Sequence, residues 1–313
     1  MARLSALHSI FCLTEIIARI YDFNVQCIHE TSRLAIVSVS LNRIYGRLIT
    51  MKRTLRLVTT IGMIVAAPSA LAGEYAKCPD ALTLGIEAQY PPFQYIGENG
   101  NLKGFDVDIA NALCEEMGAT CSWQQQDWAG IIPGLKAKKY DAAVASMAAT
   151  KERDKEVDFT DKYYTVTGHF IGPKDMTVEI SKQGLAGMTV GVQRATTQVR
   201  LARHRFGEAI DLKTYDTQKA VNLDLMSGRI DLMIADTLMI EQSFLDTERG
   251  QAFEFKGQKF DDPRYYGDGT AIAVREGADQ LRRCFNKAIK GIREDGTYDR
   301  ISKKHFGRNI YDG

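Results

Sequence analysis

Residues 104–121 read GFDVDIANALCEEMGATC. Val107, Ile109, Ala110, Leu113 and Met117 recur at helical spacing, and Gly118 supplies a stop of the kind that ends a helix. The stretch therefore predicts a helix, a break, and a strand opening at Cys121. Upstream, ALTLGIE (81–87) reads as a short buried strand, followed by the rigid loop Tyr90-Pro91-Pro92-Phe93 and the turn GENGN (97–101). Downstream, CSWQQ reads as a strand, WAGIIPGLKAKK as a helix beginning near Trp128, and YDAAVAS as another buried strand. Strand, helix, strand, helix, strand is the alternation of a parallel α/β layer.

The alternation then recurs. GMTVGVQ (187–193), IDLKTYD and IDLMIAD read as strands, TTQVRLARHRF and TQKAVNLDLMSGR as the helices between them, and EDGTYDRISKKHFG as a turn and last helix. Two phrases share one design: GLKAKKYDAAVAS (134–146) and DLMSGRIDLMIAD (224–236). Each is a helix, a short basic turn, an Asp, an apolar strand and a small or polar end. The chain is thus expected to be α/β, built as two lobes of related design. Open α/β sheets bind ligands beyond the carboxyl ends of their strands. Those ends are Glu87 to Tyr90, Ala145 to Ala148, Gln193 to Gln198, and Asp236, with Arg153 nearby. The cleft between the lobes is the natural site.

The whole chain of 313 residues has 40 Lys and Arg against 39 Asp and Glu, with 45% apolar residues. That balance excludes a disordered or fibrous chain and gives no electrostatic reason to expect nucleic acid. The basic side chains are uneven: residues 1–72 hold 8 against 3 acidic ones, so the remainder is net acidic. The cause is MKRTLRLVTTIGMIVAAPSALAG, starting at Met51. A positive start, a short apolar core and Ala70-Leu71-Ala72 are the parts of a secretory signal peptide. Residues 51–72 are read as that signal, cleaved after Ala72. Residues 1–50 are read as upstream sequence preceding the true start at Met51. Four of six cysteines then remain. Export and an even count favour disulfides. A helix, break and strand between Cys114 and Cys121 favour a bridge there over two buried thiols, worth about 2–3 kcal/mol. Cys78 and Cys284 are the remaining pair, which the sequence does not place in contact. No metal-ligand spacing occurs, and neither metal nor cofactor is expected.

The phrases LGIEAQYPPF, LKGFDVDIANALCEEMGATC, KKYDAAVASMAATKERDKEVDFTDKYY, GVQRATTQ and YYGDGTAIAV…EDGTYDRISKKHFG together resemble the extracytoplasmic solute-binding proteins of ABC amino-acid importers. The branch is that of the lysine/arginine/ornithine-, histidine- and opine-binding proteins, and the resemblance spans 73–313. It implies a two-lobe, type II periplasmic-binding fold with two hinge crossings, near Tyr164–Gly168 and Tyr265–Thr270. One lobe would be 73–165 with 270–313, the other 166–269. It also matches the Cys114–Cys121 spacing. It implies a periplasmic monomer that takes a small amino acid or opine and serves a permease in the inner membrane.

The resemblance assigns roles residue by residue. Arg153 matches the carboxylate-binding arginine, whose planar fork meets a carboxylate with two parallel bonds. Backbone N–H groups near Thr196, Thr197 and Gln198 would add donors. Asp236 matches the acceptor for the α-ammonium, with Ser146 as a further hydroxyl acceptor. Tyr90 and Trp128 match rings that sandwich the solute side chain. Glu87 matches the group that holds a distal positive charge, and Gln193 ends the neighbouring strand. Two positions commonly Ser in the branch are Ala145 and Ala148 here. The room they leave beside the α-nitrogen would admit an opine, with Arg194 near its second carboxylate. A basic amino acid is the first expectation and an opine the second. An enzyme on the same fold, of cyclohexadienyl dehydratase type with Glu87 as proton donor, is the rival from another class. No catalytic residue is expected, and His169, His204 and His305 are read as structural.

Overall fold

The computed structural model describes residues 78–312. The signal-peptide reading of 51–72 and the upstream reading of 1–50 lie outside the described residues. Strand β1, Ala81–Ile86, is the seed of the first sheet; Leu84 and Ile86 are fully buried. Helix α1, Phe105–Met117, follows the excursion through the short strands β2 (Gln89–Tyr90), β3 (Gln94–Ile96) and β4 (Leu102–Lys103). Asp106 and Asp108 lie in its first turn, where the helix dipole favours negative charge. Gly118 ends it at φ 68°, a left-handed conformation that glycine adopts without penalty. Strand β5, Thr120–Gln125, then pairs parallel with β1. Trp128–Gly130 forms a 3-10 turn leading into helix α2, Ile131–Lys136.

The expected strand YDAAVAS is shorter than its apolar run. Only Ala142–Ala143, β6, pairs with β1, because the backbone turns away at Ser146, where φ is +52°. Strands β7, Val157–Tyr164, and β13, Thr270–Arg275, complete a five-stranded sheet in the order β5-β1-β6-β13-β7. The three strands read from the sequence, β1, β5 and β6, are parallel as expected, while β13 runs antiparallel to both neighbours.

A second five-stranded sheet has the order β10-β9-β11-β8-β12. Its strands are β8 (Gly168–Pro173), β9 (Thr189–Gln193), β10 (Asp211–Tyr215), β11 (Leu232–Asp236) and β12 (Phe253–Phe260). Helices α3 (Thr197–Phe206) and α4 (Gln218–Met226) alternate with β9, β10 and β11, which pair in parallel, while β8 is antiparallel to β11 and β12. The short helix α5, Thr237–Ile240, follows β11, and α6, Pro263–Tyr266, precedes β13. The chain passes from one sheet to the other between Tyr164 and Gly168, and returns between Phe260 and Thr270.

The two lobes repeat each other in detail. β6 and β11 are the central strands of their sheets. The Asp preceding each donates its backbone N–H to the carbonyl of an early residue of the first parallel strand, and its carboxylate takes that residue's N–H. Thr83 N–H donates to Asp141 Oδ2 at 2.9 Å, and Thr189 N–H to Asp231 Oδ2 at 2.7 Å. Gly85 and Gly191 correspond as well. A Cβ at Gly85 would overlap the ring of Tyr140, and one at Gly191 would overlap Ile230.

Helices α7, Asp279–Glu294, and α8, Thr297–Phe306, close the chain. Leu281, Cys284, Phe285, Ala288, Ile289 and Ile292 form one buried face of α7. Both cysteine pairs are bridged: Cys114–Cys121 with Cα atoms 6.2 Å apart, and Cys78–Cys284 at 5.9 Å. The second closes a span of 206 residues, and by loop entropy it stabilises by about 5 kcal/mol against about 2 kcal/mol for the first.

Candidate functional site

The carboxyl ends of parallel strands from both sheets, β1 and β6 in one and β9 and β11 in the other, meet at one cavity. β1 delivers Glu87, the loop after β6 delivers Ala145, Ser146 and Ala148, β9 ends in Gln193, and β11 ends in Asp236. Tyr90, Trp128, Arg153, Thr196, Thr197 and Gln198 complete the residues singled out from the sequence, and all of them line this cavity. Four lining residues were not anticipated: Val166, Gln218, Ile234 and Ala235. Ile234 and Ala235 lie on the same strand as Asp236, so the apolar run IDLMIAD carried their signal. Gln218 opens α4, whose N-cap is Thr217, and Val166 lies in the first crossing between the sheets. Nothing in their residue types marks those two.

Arg153 follows the Thr150-Lys151-Glu152 turn. Its Nη1 donates to the carbonyl of Ala148 at 2.9 Å and its Nη2 to that of Ala195 at 3.3 Å. The guanidinium lies over the ring of Trp128, 5.1 Å from the centroid. Burial pulls its pKa down to about 10, against the opposing pull of Asp236, so it stays charged at neutral pH. A guanidinium has five N–H donors, and the two carbonyls leave three for an anion.

Asp236 stands at the N-cap position of α5, but its side chain does not cap the helix. Oδ2 instead accepts from the Tyr90 hydroxyl at 2.6 Å, and Oδ1 accepts from Gln198 Nε2. Burial raises its pKa to about 6, with these bonds and Arg153 working in the other direction. Glu87 is buried and accepts from Gln193 Nε2 at 2.7 Å. Desolvation pushes its pKa up to about 7; the Gln193 bond lowers it and the nearby Asp127 charge raises it. Glu87 directly follows β1 and Gln193 ends β9, so this bond joins corresponding positions of the two lobes.

Thr196 is the N-cap of α3 in extended conformation, and its hydroxyl donates to the carbonyl of Gln193 at 2.8 Å. The first N–H groups of that ten-residue helix have no partner within it. Arg194 lies elsewhere. It pairs with Asp216 and lines an outer groove rather than the inner cavity, which corrects the placement expected for a second carboxylate. A cavity with one guanidinium, two desolvated carboxylates and two rings is suited to a zwitterion that bears a further positive charge.

Residues 82–308 match the model of the bacterial extracellular solute-binding proteins, family 3. The chain belongs to that family. This family 3 solute-binding protein is 42% identical over 229 residues to the L-arginine-binding protein of Pseudomonas aeruginosa, covering 73% of this chain and 88% of the relative. It is 35% identical to the lysine/arginine/ornithine-binding periplasmic protein of Escherichia coli K12, covering 83% and 98%. Among solved structures it is similar to a Salmonella typhimurium periplasmic binding protein described for its high arginine specificity. That likeness has a TM-score of 0.67 and 30% identity, over 73% of this chain and 100% of the other. An ancestral amino-acid-binding protein described as a precursor of cyclohexadienyl dehydratase is also similar, with a TM-score of 0.64 and 29% identity over 72% and 96%. The family and the type II two-lobe fold are therefore as the sequence phrases implied.

Proposed function

We propose that this solute-binding protein captures a basic amino acid in the periplasm and presents it, without chemical change, to the permease of an ABC importer. The carrying observation is that Arg153, Asp236 and Glu87 line one cavity between two sheets. Arg153 with the N-terminal amides of α3 takes the α-carboxylate, Asp236 the α-ammonium, and Glu87 the distal cation, while Tyr90 and Trp128 cover the alkyl stem. The names of the arginine- and lysine/arginine/ornithine-binding relatives support the solute class. We take 73–165 with 270–313 as one lobe and 166–269 as the other, which the strand membership of the two sheets supports. Closure of the lobes is driven by the solute's tighter grip on the closed form.

Titration calorimetry with arginine, lysine, ornithine, histidine and glutamine tests the proposal. A micromolar dissociation constant, about −8 kcal/mol, is expected for at least one basic amino acid. Glu87→Gln should weaken that solute and leave glutamine unaffected; unchanged binding would remove the distal-charge assignment. Ala145 and Ala148 keep an opine as the second reading, since both residues line the cavity and carry no hydroxyl. Octopine and nopaline binding more tightly than arginine would reverse the order. Turnover of prephenate or arogenate would favour an enzyme instead.

A further inference from the structure

Two glutamines line the cavity beside Glu87, and both are almost wholly buried: Gln193 is 3% exposed and Gln218 is 5% exposed. Gln193 ends β9 and bonds Glu87 directly. Gln218 is its neighbour. The carbonyl of Asp216, two residues earlier in the chain, accepts a second bond from Gln193 Nε2 at 3.3 Å. Gln218 itself bonds Met233, whose position on β11 pairs with Gly191 of β9. Its helix, α4, also meets β2, just beyond Glu87.

In both side chains the NH₂ end is tied to the protein. Gln193 Nε2 donates to Glu87 Oε1 at 2.7 Å and to the Asp216 carbonyl. Gln218 Nε2 donates to Asn222 Oδ1 at 2.9 Å and to Met233 Sδ at 3.6 Å. A carboxylate, a carbonyl and a thioether sulfur only accept, so neither amide can turn over without losing partners. An amide NH₂ has two protons, and in each residue both are spent. The Glu87 N–H is spent as well, on Gln94 Oε1 at 3.4 Å. The oxygens are not. Among the described residues nothing donates to Gln193 Oε1, Gln218 Oε1 or Glu87 Oε2. None of the three is sealed from solvent in the way that the unpartnered Trp128 Nε1 and Tyr164 hydroxyl are. They therefore open onto the cavity that their residues line.

We propose that Gln193 and Gln218 are specificity-determining residues: with Glu87 they make this part of the cavity an acceptor-only socket, which takes a side-chain head that carries N–H groups and no acceptor. The inference rests on the solute reading above and deepens it. Glu87 alone selects charge. The two carbonyls select hydrogen-bond direction. A guanidinium, with five N–H groups and no acceptor, satisfies them. The ureido group of citrulline has the same outline, but a carbonyl oxygen replaces one nitrogen. That oxygen finds no donor here and would be buried unpaired.

The test measures L-arginine directly and L-citrulline by displacement, in calorimetry at pH about 8, where Glu87, with its pKa raised to about 7, is ionised. Gln218→Met keeps the length and the net charge and removes one open carbonyl. The preference for arginine over citrulline should then narrow by about tenfold, the size of one hydrogen bond to a charged group. A merely loosened site would weaken both solutes alike, and an unchanged ratio overturns the proposal. Asn222→Ala checks the orientation from outside the cavity, which Asn222 does not line. It removes a partner that holds the Gln218 NH₂, lets that end swing towards the solute, and should narrow the ratio in the same direction. Should Gln218→Met fail to fold, Asn222→Ala decides, and an unchanged ratio there overturns the proposal. Wild-type protein that binds no basic amino acid would remove the solute reading and this inference together. Wild-type arginine binding with an unchanged ratio in the variants would remove the inference alone.

Discussion

Arg153 has two of its five N–H groups tied to the carbonyls of Ala148 and Ala195, and its face covered by Trp128. A guanidinium so fixed loses little freedom on meeting a carboxylate. Arg153→Ala should weaken every amino-acid solute by about a hundredfold or more, because the solute carboxylate would be desolvated without its partner. Calorimetry with both a basic and a neutral solute checks this; loss confined to the basic one would contradict it. The carboxylates give a second expectation. Glu87 and Asp236 titrate near 7 and 6 because burial disfavours their charge. A cationic solute needs both ionised, so binding expels protons. Arginine affinity should rise from pH about 5 to about 8, by at most about tenfold per unit for each group, and then level off. For the free protein the sign is opposite. Acids whose folded pKa lies above the unfolded value, about 4, favour the folded state when protonated. Their contribution to stability therefore falls as pH rises from about 4 to about 7. Thermal unfolding at pH 5 and pH 8 with and without arginine reads both signs, and Glu87→Gln should shrink both trends.

The regular elements were mostly legible in the sequence because their signals are local. The apolar spacing of GFDVDIANALC and the stop at Gly118 suffice for α1, and apolar runs ending in small or charged residues suffice for β1, β9 and β11. The site was legible for the same reason: strand ends are readable, and chemistry sits at strand ends. Strands β7, β8, β12 and β13 were not read as such, since their partners are far along the chain and their alternation is broken by polar residues and register shifts. The early end of β6 was hidden too, because an apolar run gives no sign that Ser146 turns the backbone. Nor did any residue type reveal Asp106 as a buried partner of Ser146; it reads as an ordinary first-turn acid. The glycines of β1 and β9 were equally silent, although each is set by a facing side chain. Gly85→Ala would force the Tyr140 ring aside in a packed core and should cost about 1–3 kcal/mol, with Gly191→Ala similar against Ile230. Chemical denaturation measures this, and a neutral Gly85→Ala would mean that Tyr140 can move.

Several direct bonds join the two lobes: Gln193 to Glu87, Tyr90 to Asp236, Arg153 to the carbonyl of Ala195, and the ion pair Arg200–Glu152 at the outer groove. The last touches no cavity residue's solute-facing groups. Arg200 also donates to the carbonyl of Arg264 and lies over the Tyr265 ring, 5.6 Å from its centroid, near the return crossing. Partly exposed ion pairs contribute up to about 1 kcal/mol, so Arg200→Ala should weaken the solute by no more than about fivefold, and by faster release rather than slower capture. Stopped-flow measurement separates the two rates; a change in capture alone would contradict a role in closure. The meeting of Glu87 with Gln193 has a wider bearing. A vessel made of two matching halves offers a guest two equivalent ways in, and would hold it either way round. Here the matched places carry unlike chemistry, with Glu87 opposite an amide and Asp236 opposite the hydroxyl residue Ser146. That mismatch gives the guest a fixed heading, so every molecule handed on is delivered facing the same way.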